Sequence, residues 1–209
     1  MTYKERDAYM VQLKAALKDI IHGVGDFKVR GNTYIYTGTN TAINGGEQIP
    51  VNYLCARLWY GLIVSWQYVE IDADRGGTIL PFVSVPFFVS CKGCSRKMLP
   101  VFRAEWDSYP QKSISHPQAH WHFTQAQTVY EELEPDFETE YKDWDSLIME
   151  EYGKLINEMP LNKMHFAMSE RWADGGDMVA EIPGPRELAL WISKLLHHVE
   201  TEIQYVMDE

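Results

Sequence analysis

The side chains that could do chemistry in this sequence are concentrated between positions 103 and 122. This window holds one guanidinium, two carboxylates and three of the chain's seven imidazoles. These groups belong to Arg103, Glu105, Asp107, His116, His120 and His122. Neutral imidazole binds metal ions and carries protons near pH 7, so imidazoles beside acids can build a metal site or an acid–base pair.

Side-chain alternation predicts that these groups share one surface. Residues two apart in a strand point to the same face, so His120 and His122 face the same way. The same rule places Arg103, Glu105 and Asp107 on one face of the preceding strand. If the two strands are neighbours, all five side chains converge. The competing interpretation is a solvated polar face, or imidazoles packed beside a tryptophan and satisfied by the acids.

The chemistry expected from such a surface is cleavage of a phosphodiester. His120 or His122 would act as the base, and Arg103 would stabilise negative charge in the transition state. Glu105 and Asp107 complete the predicted catalytic set. The substrate would therefore carry a phosphate group.

A divalent metal ion is the expected cofactor, with His116, His120 and His122 as candidate ligands. The sequence Cys91-Lys-Gly-Cys94 resembles half of a zinc knuckle, so the metal would be zinc if Cys91 and Cys94 take part. A complete zinc site needs two further ligands. Two ordinary thiols are the competing interpretation of this pair.

The run 103–122 resembles a pattern found in uncharacterised bacterial families. These families have an Arg-x-Asp strand followed by His-Pro-x-x-His-x-His. The matching residues here are Arg103, Glu105, Asp107, His116, Pro117, His120 and His122. Glu105 stands where the families have their first Asp, a change that a carboxylate role tolerates. Some of these families lie near toxin–antitoxin and phage-defence genes, so the resemblance implies a bacterial defence or toxin–antitoxin context.

These sequence features are compatible with two functions, one enzymatic and one non-catalytic. One is a phosphodiesterase or nuclease-like hydrolase of such a system. The other is a non-catalytic, partner-binding subunit of a multiprotein defence complex. It would engage a protein through an aromatic surface or through the stretch 131–151, which carries ten acidic residues and one lysine. Walker loops, dinucleotide-binding glycine motifs, nucleophile elbows and HExxH are absent from the sequence, which disfavours the corresponding enzyme classes.

Length and composition predict one ordered domain over residues 1–209, because 45% of the residues are hydrophobic and 13% aromatic. The net charge of −11 disfavours coating of nucleic acid, since an acidic surface repels phosphate. The run 1–21 has no apolar signal core, and no segment approaches the roughly 20 apolar residues of a membrane span. Three cysteines, an odd number, do not make a disulfide framework. We therefore expect a cytoplasmic protein with no membrane partner.

The order of predicted elements is that of an α+β fold. We expect an antiparallel sheet of roughly five to seven strands, packed by an N-terminal helix and two C-terminal helices. The predicted helices are 3–21, a second from Asp143 or Asp145 to Ile156, and a third opened by Pro185. The predicted strands are 27–30, 33–37, two within 51–72 with a kink at Gly61 (or a helix and a strand), 82–91, 97–107, 119–123 and 164–168.

Three connecting features complete the prediction. The segment 38–50, which contains Asn44-Gly45-Gly46, is expected to be a loop. The segment 124–145 is expected to be an acidic, exposed linker or flap. Pro81 and Pro86 predict that the strand 82–91 lies at a sheet edge or carries a bulge.

Overall fold

The computed structural model of this chain describes residues 3–21, 25–44, 47–72, 76–90, 98–107, 119–123, 153, 159, 164, 182 and 184–208. These residues form two helices and nine strands. The helices are α1 (Tyr3–Ile20) and α2 (Pro185–Asp208). The strands are β1 (Phe27–Arg30), β2 (Thr33–Tyr36), β3 (Asn40–Asn44), β4 (Glu47–Cys55), β5 (Leu58–Tyr60), β6 (Ile63–Asp72), β7 (Gly76–Ser90), β8 (Met98–Asp107) and β9 (His120–Phe123).

The nine strands form one curled antiparallel sheet around β7. With 15 residues, β7 is long enough for β5 and β6 to pair along one of its edges while β8 pairs along the other. From β6 the sheet continues to β2 and β1, from β5 to β4 and β3, and from β8 to β9. An antiparallel sheet with flanking helices confirms the predicted α+β class.

The strands β5 and β6 behave as one interrupted strand along β7. The last residue of β5 pairs with Phe87 and the first residue of β6 pairs with Ser84, so both strands keep the same register. Gly61 lies in the gap and donates its N–H to the carbonyl of Pro86 at 2.9 Å. The predicted kink at Gly61 is therefore confirmed as a break between two strands.

The prediction from the prolines is wrong in both of its parts, because β7 neither lies at a sheet edge nor carries a bulge. Because β7 lies inside the sheet, the edge position expected from Pro81 and Pro86 is wrong. The N–H that Pro86 lacks would point to the same side as its carbonyl, into the break between β5 and β6, so little pairing is lost there. A bulge does occur between β7 and β8 at Phe87 and Phe88, and the extra residue is on β8.

One face of the sheet carries the main core, packed beneath both helices. On α1 the buried residues are Met10, Leu13 and Leu17. On α2 the buried residues are Leu188, Ala189, Ile192, Leu195, Leu196, Val199, Ile203 and Val206. These stripes recur at helical spacing, and Pro185 opens α2 as predicted, because the first turn of a helix does not need its N–H.

The opposite face carries a second, smaller apolar cluster beneath a hairpin. Its members are Ala42, Ile49, Val51, Phe88 and Met98. The hairpin is formed by β3 and β4, which pair from Asn44 and Glu47 outward. The expectation of a loop over 38–50 is therefore wrong. Asn-Gly-Gly is a signal for a tight hairpin turn, and the flanking residues alternate between buried and exposed, as strands do.

The counts of elements also differ from the prediction. Among the described residues the sheet has nine strands rather than five to seven, because a hairpin replaces the loop expected over 38–50 and the stretch 51–72 contains parts of three strands. The part of the chain that the structure describes has two helices instead of three. The predicted helix over 143–156 lies outside it apart from Gly153, and the predicted strand 164–168 lies outside it apart from Met164. The acidic segment 124–145 lies outside it as well. Among the described residues, no helix combines the length and the apolar run that a membrane crossing requires.

Candidate functional site

The strands β8 and β9 are antiparallel neighbours, as the alternation argument required. Glu105 pairs with His120, and Arg103 pairs with His122. Directly paired residues point to the same face of a sheet, so these four side chains share one surface. The predicted convergence of the four residues is confirmed, while their functional roles stay predictions.

Apolar residues at the intervening positions hold the two strands in this register. Ala104 and Trp106 of β8 are buried in the core on the helix side, and Trp121 of β9 packs against the same core. The Trp121 ring meets the ring of Phe102 edge to face, with centroids 5.7 Å apart. A slip of one residue would turn these rings to the other face, so the core packing determines which side chains face the site.

The carboxylate of Glu105 is the centre of the cluster. Its Oε1 accepts a hydrogen bond from Nε of Arg103 at 2.7 Å. Its Oε2 lies 2.8 Å from Nε2 of His122 and 3.5 Å from Nε2 of His120. The two imidazole rings meet edge to face, with centroids 4.5 Å apart. One oxygen therefore faces the guanidinium and the other faces both imidazoles.

Burial differs among the four side chains. The side chains of Glu105 and His120 are 12% and 13% exposed, whereas those of His122 and Arg103 are 39% and 43% exposed. Burying a carboxylate is unfavourable unless it is paired, and here three nitrogen atoms surround it. The cluster thus combines a shielded carboxylate with an imidazole and a guanidinium that reach the surface.

The contact between His122 and Glu105 is close but is not aligned as a hydrogen bond. Nε2 of His122 is shielded from solvent and forms no hydrogen bond with the described residues, although Oε2 of Glu105 is 2.8 Å away. A hydrogen bond requires the in-plane N–H to point at its acceptor. The arrangement instead brings three possible metal-ligand atoms, one each from Glu105, His120 and His122, within 4.8 Å of one another.

Ser84 is a member of this surface that sequence reasoning missed. It lies on β7 directly opposite Glu105. Among the described residues, the buried polar side chains are Ser84 and Glu105. The signal that could have found it is a single serine inside the apolar run 79–89, since a strand buried on both faces rarely carries a hydroxyl without a use.

A strained residue directly precedes the second strand of the site. Ala119 is buried and has a φ of 56°, in the left-handed region. For a residue with a Cβ this conformation costs about 1–2 kcal/mol. It turns the chain directly before His120 enters β9. Backbone strain of this kind is concentrated at functional sites, where the surrounding structure holds it.

Most of the other predicted site residues lie outside the part of the chain that the structure describes. Asp107 ends β8, and its side chain is not described. The predicted metal ligands His116, Cys91 and Cys94 lie outside the described residues. Cys55, a further thiol, is free and buried in the core on the helix side, so it faces away from Glu105.

Comparisons of this chain with protein-family models, with curated proteins and with solved structures find no match. The interpretation of the site therefore depends on its geometry and on the chemistry of its side chains.

Proposed function

We propose that this chain is a hydrolase that cleaves a phosphodiester at the cluster of Arg103, Glu105, His120 and His122, in a bacterial defence or toxin–antitoxin system. One observation carries the proposal: a shielded carboxylate contacts a guanidinium through one oxygen and two imidazoles through the other. Groups that activate water and a group that binds phosphate oxygens thereby lie side by side.

The imidazoles and the carboxylate activate the attacking water. Oε2 of Glu105 lies 2.8 Å from Nε2 of His122 and 3.5 Å from Nε2 of His120, so both rings lie beside one point, where either can take a proton from a water molecule. The water oxygen forms a new bond to phosphorus as the ester P–O bond breaks. The proton taken from water ends on the leaving oxygen, so the products are an alcohol and a phosphomonoester.

The guanidinium of Arg103 binds the phosphate. Its Nε is engaged by Glu105, which orients the planar group, and the partly exposed side chain presents its terminal nitrogens to a ligand. The fork geometry of a guanidinium matches two phosphate oxygens, and its charge stabilises the negative charge of the transition state. Asp107, two residues further along β8, completes the proposed catalytic set.

The test is hydrolysis of bis(4-nitrophenyl) phosphate and of short RNA and DNA oligonucleotides by purified protein. We expect His120→Ala and His122→Ala each to lower kcat/KM by about 10²–10⁴-fold, and Arg103→Ala to lower it by about 10²–10³-fold. The matched control is His197→Ala, since this histidine is exposed on α2 and 81% of its side chain is accessible. Full activity in both His120→Ala and His122→Ala would show that these roles are wrong.

A second candidate function is a partner-binding subunit of a defence complex. The sequence favours it through the acidic stretch 131–151 and the net charge of −11. Tyr53 is exposed and meets the partly buried Trp59 with ring centroids 5.4 Å apart, so this pair offers a limited apolar contact area. A basic partner that binds in stoichiometric amount, dissociates at high salt and leaves no phosphodiesterase activity in either protein would favour this candidate.

A further inference from the structure

We infer that Glu105, His120 and His122 form a three-ligand site for a divalent transition-metal ion, with Oε2 and the two Nε2 atoms as the ligand atoms. The catalytic role of this ion rests on the proposed function. Binding of the ion does not, because it is measured without any substrate. The three residues each offer one ligand atom within 4.8 Å of the other two, and they lie on paired strands. Strand positions are rigid, so the ligands are held in place before the ion arrives.

The separations of the Glu105 carboxylate oxygen from the two imidazole nitrogens are close to those between ligand atoms around a metal ion. A metal–ligand distance of about 2.1 Å places adjacent ligand atoms about 3.0 Å apart in an octahedral site and about 3.4 Å apart in a tetrahedral site. In this cluster Oε2 of Glu105 is 2.8 Å from Nε2 of His122 and 3.5 Å from Nε2 of His120. Small rotations of the side chains are enough to place one ion against all three atoms.

Hydrogen bonding alone does not account for this geometry. An imidazole that served only to pair with Glu105 would direct an N–H at the oxygen. The His122 ring instead brings Nε2 close to Oε2 without that alignment, and the atom is shielded from water. Two rings and a carboxylate that converge on one point through Nε2 and Oε2 are the arrangement that a shared ion requires.

The donor set selects the class of ion. Imidazole nitrogens favour zinc, iron, cobalt, nickel and copper, whereas magnesium and calcium prefer oxygen ligands. Three protein ligands also leave at least one position for water or substrate, as in catalytic rather than structural zinc sites. Such an ion would lower the pKa of a water molecule bound to it towards 7. His120 and His122 would then contribute by holding the ion and not by removing the proton themselves.

Arg103 is a positioning residue for this site. Its Nε binds Oε1 of Glu105 at 2.7 Å, which turns Oε2 towards the two imidazoles. Loss of such a supporting contact lowers metal affinity by about 10–100-fold. We therefore expect Arg103→Ala to weaken binding within that range, and Arg103→Lys to recover part of the loss, because a lysine supplies the charge but not the planar fork.

The experiment is titration of EDTA-treated, dialysed protein with Zn²⁺, Co²⁺ and Mg²⁺ by calorimetry. We expect one Zn²⁺ and one Co²⁺ per chain, and Mg²⁺ to bind at least about 100-fold more weakly. Glu105→Ala, His120→Ala and His122→Ala should each weaken Zn²⁺ binding by more than the roughly 10–100-fold that a supporting contact contributes to metal affinity. His197→Ala is the control and should bind as the original chain does. Circular dichroism establishes that each variant is folded.

The optical spectrum of the Co²⁺ form gives a readout that needs no variant. A site of imidazoles and a carboxylate gives d–d bands without thiolate-to-cobalt charge transfer, so a charge-transfer band would assign the ion to cysteines and overturn the inference. Failure of the original chain to bind Zn²⁺ or Co²⁺ would also overturn it. The inference would likewise be overturned if the Cys91→Ser/Cys94→Ser double variant lost Zn²⁺ binding while Glu105→Ala retained it.

The outcomes separate this inference from the proposed function. Tight Zn²⁺ binding at these residues without hydrolysis of any phosphodiester removes the proposed function and leaves the metal site. Hydrolysis that survives EDTA treatment in a chain that binds no ion removes the metal site, and the imidazoles then act as bases.

Discussion

The contact between Glu105 and His122 runs diagonally across the ladder of β8 and β9. The residue directly opposite Glu105 is His120, yet Oε2 lies 2.8 Å from Nε2 of His122 and 3.5 Å from Nε2 of His120. Diagonal neighbours on twisted strands come within reach of each other when their side chains are long. The carboxylate is therefore shared by both imidazoles, and a substitution at Glu105 affects both at once.

The pairing of Arg103 with Glu105 should make a small, measurable contribution to stability. We expect a double-mutant cycle of Arg103→Ala and Glu105→Gln, measured by urea unfolding in EDTA, to give a coupling free energy of about 0.5–1 kcal/mol. The value is modest because the guanidinium is 43% exposed and water screens the pair. A coupling indistinguishable from zero would mean that the 2.7 Å hydrogen bond does not persist in solution.

Much of the site could be predicted from the sequence, because strand alternation has a fixed period of two. Once Trp121 and Ala104 are assigned to the core, His120, Glu105 and Arg103 must face the other way. The adjacency of the two strands follows only from their order in the chain, because sequential strands are usually neighbours.

What the sequence could not supply depends on contacts between distant segments. Ser84 joins the site only because β7 pairs with β8 across more than twenty residues of chain. The sequence predicts a loop where β3 and β4 form a hairpin, because the glycines of this segment outweigh the alternation of Ala42, Ile49 and Val51. Their burial depends on Phe88 and Met98, which local sequence does not bring together.

The packing of α2 on the sheet should account for a large share of the stability. Ile192 is fully buried in the core on the helix side, so Ile192→Ala removes apolar contacts and leaves a cavity. We expect a loss of about 2–5 kcal/mol in the free energy of unfolding. The matched control on the same helix is Leu190→Ala, which should change it by less than about 0.5 kcal/mol because Leu190 is exposed. Equal losses for the two variants would contradict the orientation of α2.

Gly38 should be intolerant of a side chain because the backbone of β4 lies against it. A Cβ at this position would overlap the backbone carbonyl and nitrogen of Val51. Since backbone cannot rotate aside as a side chain can, we expect Gly38→Ala to destabilise the protein by about 1–3 kcal/mol in urea unfolding. The control is Gly31→Asn, where φ is 58° and no atom lies within 4 Å of an added Cβ. Asparagine tolerates this conformation, so Gly31→Asn should cost clearly less than Gly38→Ala.

The thiol of Cys55 should be unreactive in the folded protein. Burial, with a further contribution from the Glu200 carboxylate, raises its pKa to about 11. At pH 8 its thiolate fraction is then about two orders of magnitude below that of an ordinary thiol with a pKa of about 8.5. We expect iodoacetamide to alkylate Cys55 slowly in the folded protein at pH 8 and rapidly in urea. Mass spectrometry of the peptide that contains Cys55 measures both rates. Rapid modification without denaturant would contradict the burial of this residue.

The same shift in the pKa of Cys55 makes stability depend on alkaline pH. The folded state holds the thiol proton more tightly than the unfolded state, so this contribution is complete below about pH 8.5 and is lost as pH rises towards 11. The free energy of unfolding of the original chain should therefore fall relative to Cys55→Ala by about 1–2 kcal/mol between pH 8 and pH 10. Tyrosines that ionise in the same range, such as Tyr60 with a pKa raised to about 12 by burial, are common to both proteins and cancel in the difference. If the difference between the two chains does not change with pH, the thiol ionises as freely in the folded protein as in the unfolded chain.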